Sequence, residues 1–133
     1  MNKFLRIESK VYCYEDSHMQ LMAASMLGPT DAAVIFSYSG STKDTIEIAE
    51  CASKRKAKVI CITRFVKSPL TAHADLTLLS GANEGPLQGG STSAEISQLF
   101  LIDILYMEYY RRYFENCSKT NKITSEAVVQ RLV

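Results

Sequence analysis

The sequence has 133 residues and is 47% hydrophobic, which suits a single domain (residues 1–133) with one ordinary core. Fifteen Lys and Arg residues nearly balance fourteen Asp and Glu residues and are dispersed along the chain, so we expect this chain itself to bind no nucleic acid. The apolar run 99–107 contains Asp103 and is too short to span a bilayer. These features predict a soluble, cytoplasmic protein that does not enter the membrane.

The first half of the chain alternates strand patterns with helix patterns. Short apolar runs, typical of strands buried on both faces, occur at residues 10–14, 32–36, 58–63 and, more weakly, 76–79. Between them, residues 16–27 and 44–56 carry apolar side chains at helical spacing. Strands that alternate with helices predict an α/β fold with a parallel sheet covered on both sides.

The second half is richer in helix. Ser68-Pro69-Leu70 predicts the start of a short helix, and residues 81–90 hold four of the six glycines and so predict a loop. A long helix is expected at 93–115, where the middle is apolar nearly all round and needs cover on two sides. A polar break at 118–122 then separates it from a last helix at 124–132.

The strongest chemical signal is the hydroxyl-rich segment Ser37-Tyr38-Ser39-Gly40-Ser41-Thr42, which lies between a predicted strand and a predicted helix start. Unpaired N–H groups at a helix start, the helix dipole and short hydroxyls together form an anion site, and glycine lets the backbone approach the ligand. The alternative is that Ser41 or Thr42 only caps the helix. Capping explains one hydroxyl and leaves the others unexplained, so we predict phosphate binding.

Several motifs in order resemble one known family. The segment 37–45, followed by Ile62-Thr63, Ser68-Pro69-Leu70, Ala74-Asp75 and 98–103, is similar to the sugar isomerase (SIS) domain, and most similar to the effector domain of RpiR-type transcriptional regulators. The likeness runs from about residue 3 to residue 110. It implies a three-layer α/β/α sandwich with a parallel, Rossmann-like sheet, a phosphorylated sugar as ligand, and dimers or higher assemblies.

The resemblance also implies which residues touch the ligand. Ser37, Ser39 and Thr42 would contact the phosphate through their side chains, with backbone help from Tyr38 and Gly40. Ser41 belongs to the same loop.

Two departures from the family pattern affect the expected architecture. SIS domains begin with a strand and a glycine–serine loop that supplies another sugar-contacting serine, whereas residues 3–7 match the end of the helix after that loop. The first strand is therefore missing, and in the family it lies between the strands that match 10–14 and 32–36. No segment matches the helix-turn-helix domain of RpiR-type regulators. We expect a fragment of a regulator or a truncated relative.

The histidines, the cysteines and the aromatic residues of the long helix also bear on binding or assembly. His18 lies just after a predicted strand, where it could reach a ligand at the rim of the site. Two histidines and four cysteines show no metal-ligand spacing, so we expect no metal and no cofactor. The aromatic residues of the helix 93–115 are better explained by core packing and a homodimer contact than by stacking on a base. We expect that contact to include Tyr106, Tyr110 or Phe114.

The role of Glu95 distinguishes two hypotheses for the function. It lies in the first turn of the predicted long helix, where many RpiR-type regulators have an arginine and hexulose-phosphate isomerases of the same superfamily have a glutamate thought to act as base. A carboxylate suits proton abstraction if burial raises its pKa, but a glutamate also simply stabilises a helix start. Our first hypothesis is a phosphosugar-sensing domain of a carbohydrate-metabolism regulator that is not an enzyme. The alternative is an aldose–ketose phosphosugar isomerase with Glu95 as catalytic base.

Overall fold

The computed structural model of the protein describes residues 2–81 and 92–129. The chain divides into two compact units, one formed by Tyr14–Leu101 and the other by Met1–Cys13 with Ile102–Val133. The elements in chain order are α1 (Asn2–Leu5), α2 (Ser17–Ser25), β1 (Ala32–Phe36), α3 (Lys43–Lys54), β2 (Lys58–Thr63), a 3₁₀ turn (Thr71–His73), β3 (Leu76–Leu79), α4 (Thr92–Arg112) and α5 (Phe114–Val129).

The larger unit contains a three-stranded parallel sheet in the order β1-β2-β3. Ala32 aligns with Lys58 across the first pair of strands, and Ile60 aligns with Leu76 across the second. The predicted strands 32–36, 58–63 and 76–79 are confirmed, as is the parallel α/β arrangement. A parallel sheet needs crossover connections, and α3 supplies the crossover between β1 and β2.

Helices α2 and α3 cover one face of this sheet. Ile35, Val59 and Cys61 point into a core with Ala49 and Ala52 of α3, whose small side chains allow the helix to approach the strands closely. Burial raises the pKa of the Cys61 thiol to about 11, so this cysteine is an unreactive core residue.

The opposite face of β1 is only partly covered. Side chains alternate along the strand, with Ile35 buried while Val34 and Phe36 are 39% and 41% exposed. β1 is also an edge strand of the sheet that the structure describes. The expectation of complete cover on both faces therefore does not hold for this strand.

The predicted strand at 10–14 is wrong. These residues form no strand, and Tyr12 is 72% exposed with Cys13 exposed beside it. A strand is stable only with a neighbour to satisfy its N–H and C=O groups, and none of the described strands pairs with this segment. An apolar run by itself therefore does not make a strand.

The predicted polar break at 118–122 is also wrong. The helix breaks earlier, at Tyr113, and α5 then runs unbroken through the polar residues. The Cys117 N–H donates to the Tyr113 carbonyl (2.9 Å), and the Cys117 side chain is fully buried. Packing of one helix face outweighs the weak helix propensity of the polar residues. The predicted end of this helix at 132 lies outside the described residues.

Aromatic packing organises the smaller unit. Tyr106 lies 5.4 Å from Phe4 and 6.1 Å from Tyr110 between ring centroids, and Tyr110 lies 5.8 Å from Phe114. This is the helical spacing predicted for packing rather than for base stacking. None of the described helices has both the length and the apolar composition required to cross a membrane.

Candidate functional site

The hydroxyl-rich segment 37–42 forms the turn between β1 and α3, at the carboxyl edge of the parallel sheet. The turn after β2 and Ser80 after β3 lie at the same edge. Ligands of open α/β sheets bind outside the carboxyl ends of the strands. We call residues 37–42 the hydroxyl loop.

Gly40 fixes the shape of the hydroxyl loop. Its φ is 63°, in the left-handed region that favours glycine. A Cβ atom at this position would also lie 2.6 Å from the Cβ of Ser68 and 3.2 Å from Oγ1 of Thr63, which is too close for any side chain. The backbone of the hydroxyl loop therefore packs directly against the turn that follows β2.

Hydrogen bonds clamp the loop to that turn. The Tyr38 carbonyl accepts from the Arg64 N–H (3.1 Å) and from the Thr63 hydroxyl (3.1 Å). The Gly40 carbonyl accepts from the Leu70 N–H (3.0 Å). These bonds hold two loop carbonyls against the protein and set the loop before any ligand arrives, which lowers the entropy lost on binding.

Two hydroxyls face each other within the loop. Ser37 is only 7% exposed, and its Oγ lies 3.4 Å from Oγ1 of Thr42. The Gly40 N–H donates to the same Ser37 Oγ (3.1 Å). Ser39 is exposed, and its hydroxyl accepts from the Ser41 N–H (3.2 Å). The loop thus presents hydroxyl groups at two depths.

Thr42 occupies the N-cap position of α3 without capping it. Its backbone is extended (φ −70°, ψ 122°), as in an N-cap, but its side chain makes no hydrogen bond to the first turn. The hydroxyl lies near Ser37 instead. Capping therefore does not explain this hydroxyl, and the dipole of α3 and its first-turn N–H groups are directed at the same place.

Arg64 lies against the hydroxyl loop, although the sequence analysis did not single it out. Its Nη1 donates to the Tyr38 Oη (2.8 Å), and its guanidinium carbon lies 5.9 Å from the Tyr38 ring centroid and 5.7 Å from that of Phe65. The available signal was its position, directly after a predicted strand whose end lies at the same edge as the loop.

Ser80 adds a buried polar group to this edge. Its N–H donates to the Thr63 carbonyl (2.8 Å), which places it beside the end of β2. Its Oγ is buried and has no hydrogen-bond partner among the residues that the structure describes. An unsatisfied buried hydroxyl is uncommon, and here it lies at the edge where ligands bind.

The structure does not join His18 or Glu95 to the hydroxyl loop. His18 is the exposed second residue of α2, which Asp16 caps by accepting the Met19 N–H (3.0 Å). Glu95 is exposed in the first turn of α4. Within residues 2–81 and 92–129, no hydrogen bond or ion pair links either side chain to the loop, and no group of three metal-ligating side chains is found.

The chain resembles known proteins over most of its length. The family model described as "SIS domain" matches residues 1–108. The helix-turn-helix (HTH)-type transcriptional regulator RpiR of Escherichia coli K12 is 38% identical over 126 residues, covering 92% of this chain and 43% of the regulator. An HTH-type transcriptional regulator of Caldanaerobacter subterraneus subsp. tengcongensis is 33% identical over 133 residues, covering 100% of this chain and 47% of the relative.

Comparison with solved structures also shows a similarity over most of the chain. The Vibrio vulnificus NanR protein complexed with ManNAc-6P superimposes with a TM-score of 0.87 at 32% identity, covering 97% of this chain and 48% of that one. The sugar isomerase domain of an RpiR transcription factor from Sphaerobacter thermophilus shares the fold, with a TM-score of 0.65 at 21% identity over 81% of this chain and 58% of that one. The chain spans about half the length of the regulators that it matches.

Proposed function

Because this chain belongs to the SIS-domain family, we propose that it is the phosphosugar-sensing part of a transcriptional regulator of carbohydrate metabolism. The relatives described as transcriptional regulators support a regulatory role, and the related NanR protein is complexed with ManNAc-6P. The observation that carries the proposal is the hydroxyl of Thr42, which lies beside the Ser37 hydroxyl and leaves the first turn of α3 uncapped.

The proposed binding mode assigns the phosphate to the hydroxyl loop. Ser37, Ser39 and Thr42 donate hydrogen bonds to phosphate oxygens, and the first-turn N–H groups of α3 add donors and a favourable dipole. Gly40 contributes by keeping the backbone close enough for these donors to converge. Tyr38 and Ser41 complete the loop, and His18 is assigned to the outer rim where the sugar would lie.

Removal of two hydroxyls tests this mode. Each hydrogen bond to a charged group contributes about 1.5–3 kcal/mol, so a Ser37→Ala/Ser39→Ala double variant should bind at least about a hundredfold more weakly. Calorimetry with a panel of phosphosugars that includes ManNAc-6P measures this. The matched control is Ser25→Ala/Ser53→Ala, which removes two exposed hydroxyls far from the loop in sequence.

The same panel contains the outcome that would contradict the proposal. Equal affinity of the double variant and the wild type would remove the hydroxyl loop from the binding site. Equal affinity for phosphorylated and unphosphorylated sugars would show that the phosphate is not what the protein recognises. Either result would leave the chain without its proposed ligand class.

We also propose that the protein is a homodimer through α4. Exposed apolar side chains recur along this helix at intervals of four, four and three residues, namely Ile96, Phe100, Ile104 and Met107, each between 48% and 64% exposed. Side chains at this spacing share one side of a helix, and an apolar stripe of this kind is typical of a protein contact.

The exposure of the side chains distinguishes among the three residues expected at the dimer contact. Phe114, the first residue of α5, is 61% exposed and remains a candidate for the contact, whereas Tyr106 and Tyr110 are partly buried against their aromatic neighbours. Sedimentation should show a dimer at micromolar concentration for the wild type and a monomer for Phe100→Glu. Val66→Glu, at an equally exposed apolar residue outside α4, is the control. A monomeric wild type would refute the dimer.

A further inference from the structure

Residues 37–42 of the hydroxyl loop carry no charged side chain, and the guanidinium of Arg64 is held against the loop. Arg64 follows β2, and its side chain is fixed by the bond from Nη1 to the Tyr38 hydroxyl (2.8 Å). The guanidinium also lies over two aromatic rings, with centroids at 5.9 Å for Tyr38 and 5.7 Å for Phe65. A planar cation that is bonded to the Tyr38 hydroxyl and lies against the rings of Tyr38 and Phe65 has lost much of its conformational freedom before a ligand binds.

We propose that Arg64 is a specificity-determining residue of this site, whose fixed positive charge makes the hydroxyl loop select a phosphorylated sugar over its uncharged parent sugar. The inference rests on the proposed function, because it assumes that the hydroxyl loop holds the phosphate. Hydroxyl and N–H donors bind charged oxygens more strongly than neutral ones, but they accept both, so their main contribution is to fix the position of the ligand. A nearby cation adds an attraction that only an anionic ligand experiences.

The backbone of Arg64 and its side chain have separate roles at the hydroxyl loop. The backbone N–H donates to the Tyr38 carbonyl (3.1 Å), and any residue other than proline at this position would provide that bond. Clamping of the loop therefore does not require an arginine. An arginine is required only where a positive charge and a planar donor are needed beside the Tyr38 hydroxyl. For this reason we assign the Arg64 side chain to the ligand rather than to the clamp.

Lys43 is the cation nearest to the loop in sequence, but it is held differently. It is the first residue of α3, its side chain is 87% exposed, and its Nζ lies 4.0 Å from the Glu47 carboxylate. A flexible, solvated ammonium that is already beside a carboxylate adds little to ligand selection. Lys43 is thus a natural control for the effect of charge alone.

The experiment compares Arg64→Gln, Arg64→Lys and Lys43→Met with the wild type by calorimetry on the full chain. The probe is ManNAc-6P, paired with unphosphorylated N-acetylmannosamine. Gln keeps a donor for Tyr38 without the charge, whereas Lys keeps the charge without the planar fork. We expect Arg64→Gln to lose about tenfold to a hundredfold in affinity for ManNAc-6P and to leave the weak affinity for the parent sugar unchanged. Arg64→Lys should recover part of the loss, and Lys43→Met should change affinity by less than about threefold.

Salt dependence separates charge from structure. Between about 50 and 300 mM NaCl, the wild type and Lys43→Met should lose affinity in parallel, while Arg64→Gln should depend less on salt. A merely structural arginine would lower affinity for both probes and leave the salt slope unchanged, and that result would overturn the inference. The inference would also be overturned if Arg64→Gln had the same affinity and the same salt dependence as the wild type. In that case the proposed function would still stand. A wild type that binds no phosphosugar in the panel would refute the proposed function itself, and the inference with it.

Discussion

Two helix starts in this protein carry the residues proposed for chemistry, and they are built differently. At the start of α3, the loop carbonyls are bonded to the turn after β2, Gly40 is locked against Ser68, and Thr42 does not cap the helix. At the start of α4, Glu95 is exposed and no neighbouring group in the described chain holds its carboxylate. Both helix starts carry the positive end of a helix dipole, and at α3 a clamped loop adds hydroxyl groups held in place beside it.

The difference bears on the choice between sensor and enzyme. A catalytic base working near neutral pH needs an environment that raises the pKa of its carboxylate, and burial is the usual means. Glu95 is exposed in the first turn of α4 and is not held in a buried environment of this kind. The hydroxyl loop, in contrast, needs only fixed donors, and the structure supplies them.

The largest effect is expected when the locked loop is broken at Gly40. Gly40→Ala places a Cβ at a φ of 63° and against Ser68, and the left-handed conformation alone costs about 1–2 kcal/mol for a residue with a side chain. The steric overlap adds to this cost, so we expect a clear drop in the thermal midpoint and loss of phosphosugar binding. Calorimetry and thermal unfolding measure both.

Gly28→Ala is the matched control for that substitution. A Cβ at Gly28 would meet its nearest neighbour, Oδ2 of Asp31, at an ordinary 3.7 Å. We expect the affinity to be unchanged there. If Gly40→Ala were as benign as Gly28→Ala, the hydroxyl loop would not be locked in the way described.

An intermediate effect is expected at Thr42. Thr42→Val keeps the shape and removes the hydroxyl, which should weaken phosphosugar binding by about tenfold or more. Loss of an N-cap side chain usually costs about 0.5–2 kcal/mol of stability, but this hydroxyl makes no capping bond, so stability should change by less than about 0.5 kcal/mol. Thr45→Val, one turn later, is the control, because the Thr45 hydroxyl donates to the Thr42 carbonyl.

The converse result at Thr42 would be informative. A large loss of stability with unchanged affinity would show that the hydroxyl caps α3 in solution. The contrast between the two helix starts would then disappear.

No effect on binding is expected at Glu95. Glu95→Gln should bind phosphosugars as the wild type does, because the exposed carboxylate is not joined to the hydroxyl loop. Incubation with ketose and aldose phosphates in deuterated water should give no exchange at the carbon beside the carbonyl. Exchange in the wild type that is lost in Glu95→Gln would make the protein an isomerase.

A small effect, on stability alone, is expected at Asp75, which lies outside both helix starts. The Val59 N–H donates to Asp75 Oδ2 (2.8 Å) and, with a smaller contribution from Lys58, holds the pKa of this carboxyl below its ordinary value. A lowered pKa stabilises the fold above the unfolded-state value of about 3.9, and this contribution is lost as pH falls through the folded-state pKa. Asp75→Asn should therefore lower the thermal midpoint slightly at neutral pH, and the difference should shrink below about pH 4. Phosphosugar affinity should not change.

The sequence predicted the parts of the fold that rest on local pattern. Strands such as β1 and β2 were found because continuous apolar runs, separated by helical periodicity, are typical of parallel sheets. The segment 10–14 has a similar pattern and forms no strand, because pairing depends on a neighbour that a local pattern does not reveal. The break at Tyr113 was missed for a related reason, since tertiary packing around Cys117 keeps the following polar residues helical.

The residues of the candidate site also fall into those that the sequence predicted and those that it did not. The hydroxyl loop was visible in the sequence because its residues are consecutive and their spacing between a strand and a helix has a physical meaning. Arg64 was not, because its place beside Tyr38 depends on how β2 aligns with β1. The Ser80 hydroxyl could not be found from the sequence either, since only the fold shows that it is buried without a hydrogen-bond partner among the described residues.

The clamp on the hydroxyl loop has a consequence for folding. The carbonyls of Tyr38 and Gly40 are bonded by residues that follow β2, so the loop cannot take its shape until the next strand has been made and docked. Such a site is absent from the unfolded chain and from any intermediate that lacks β2. A ligand of this loop would bind the native state alone, and at about a hundred times its Kd it would add about 2.7 kcal/mol to the free energy of unfolding. The supply of the sugar phosphate would then change the stability of the protein as well as the fraction of it that is occupied.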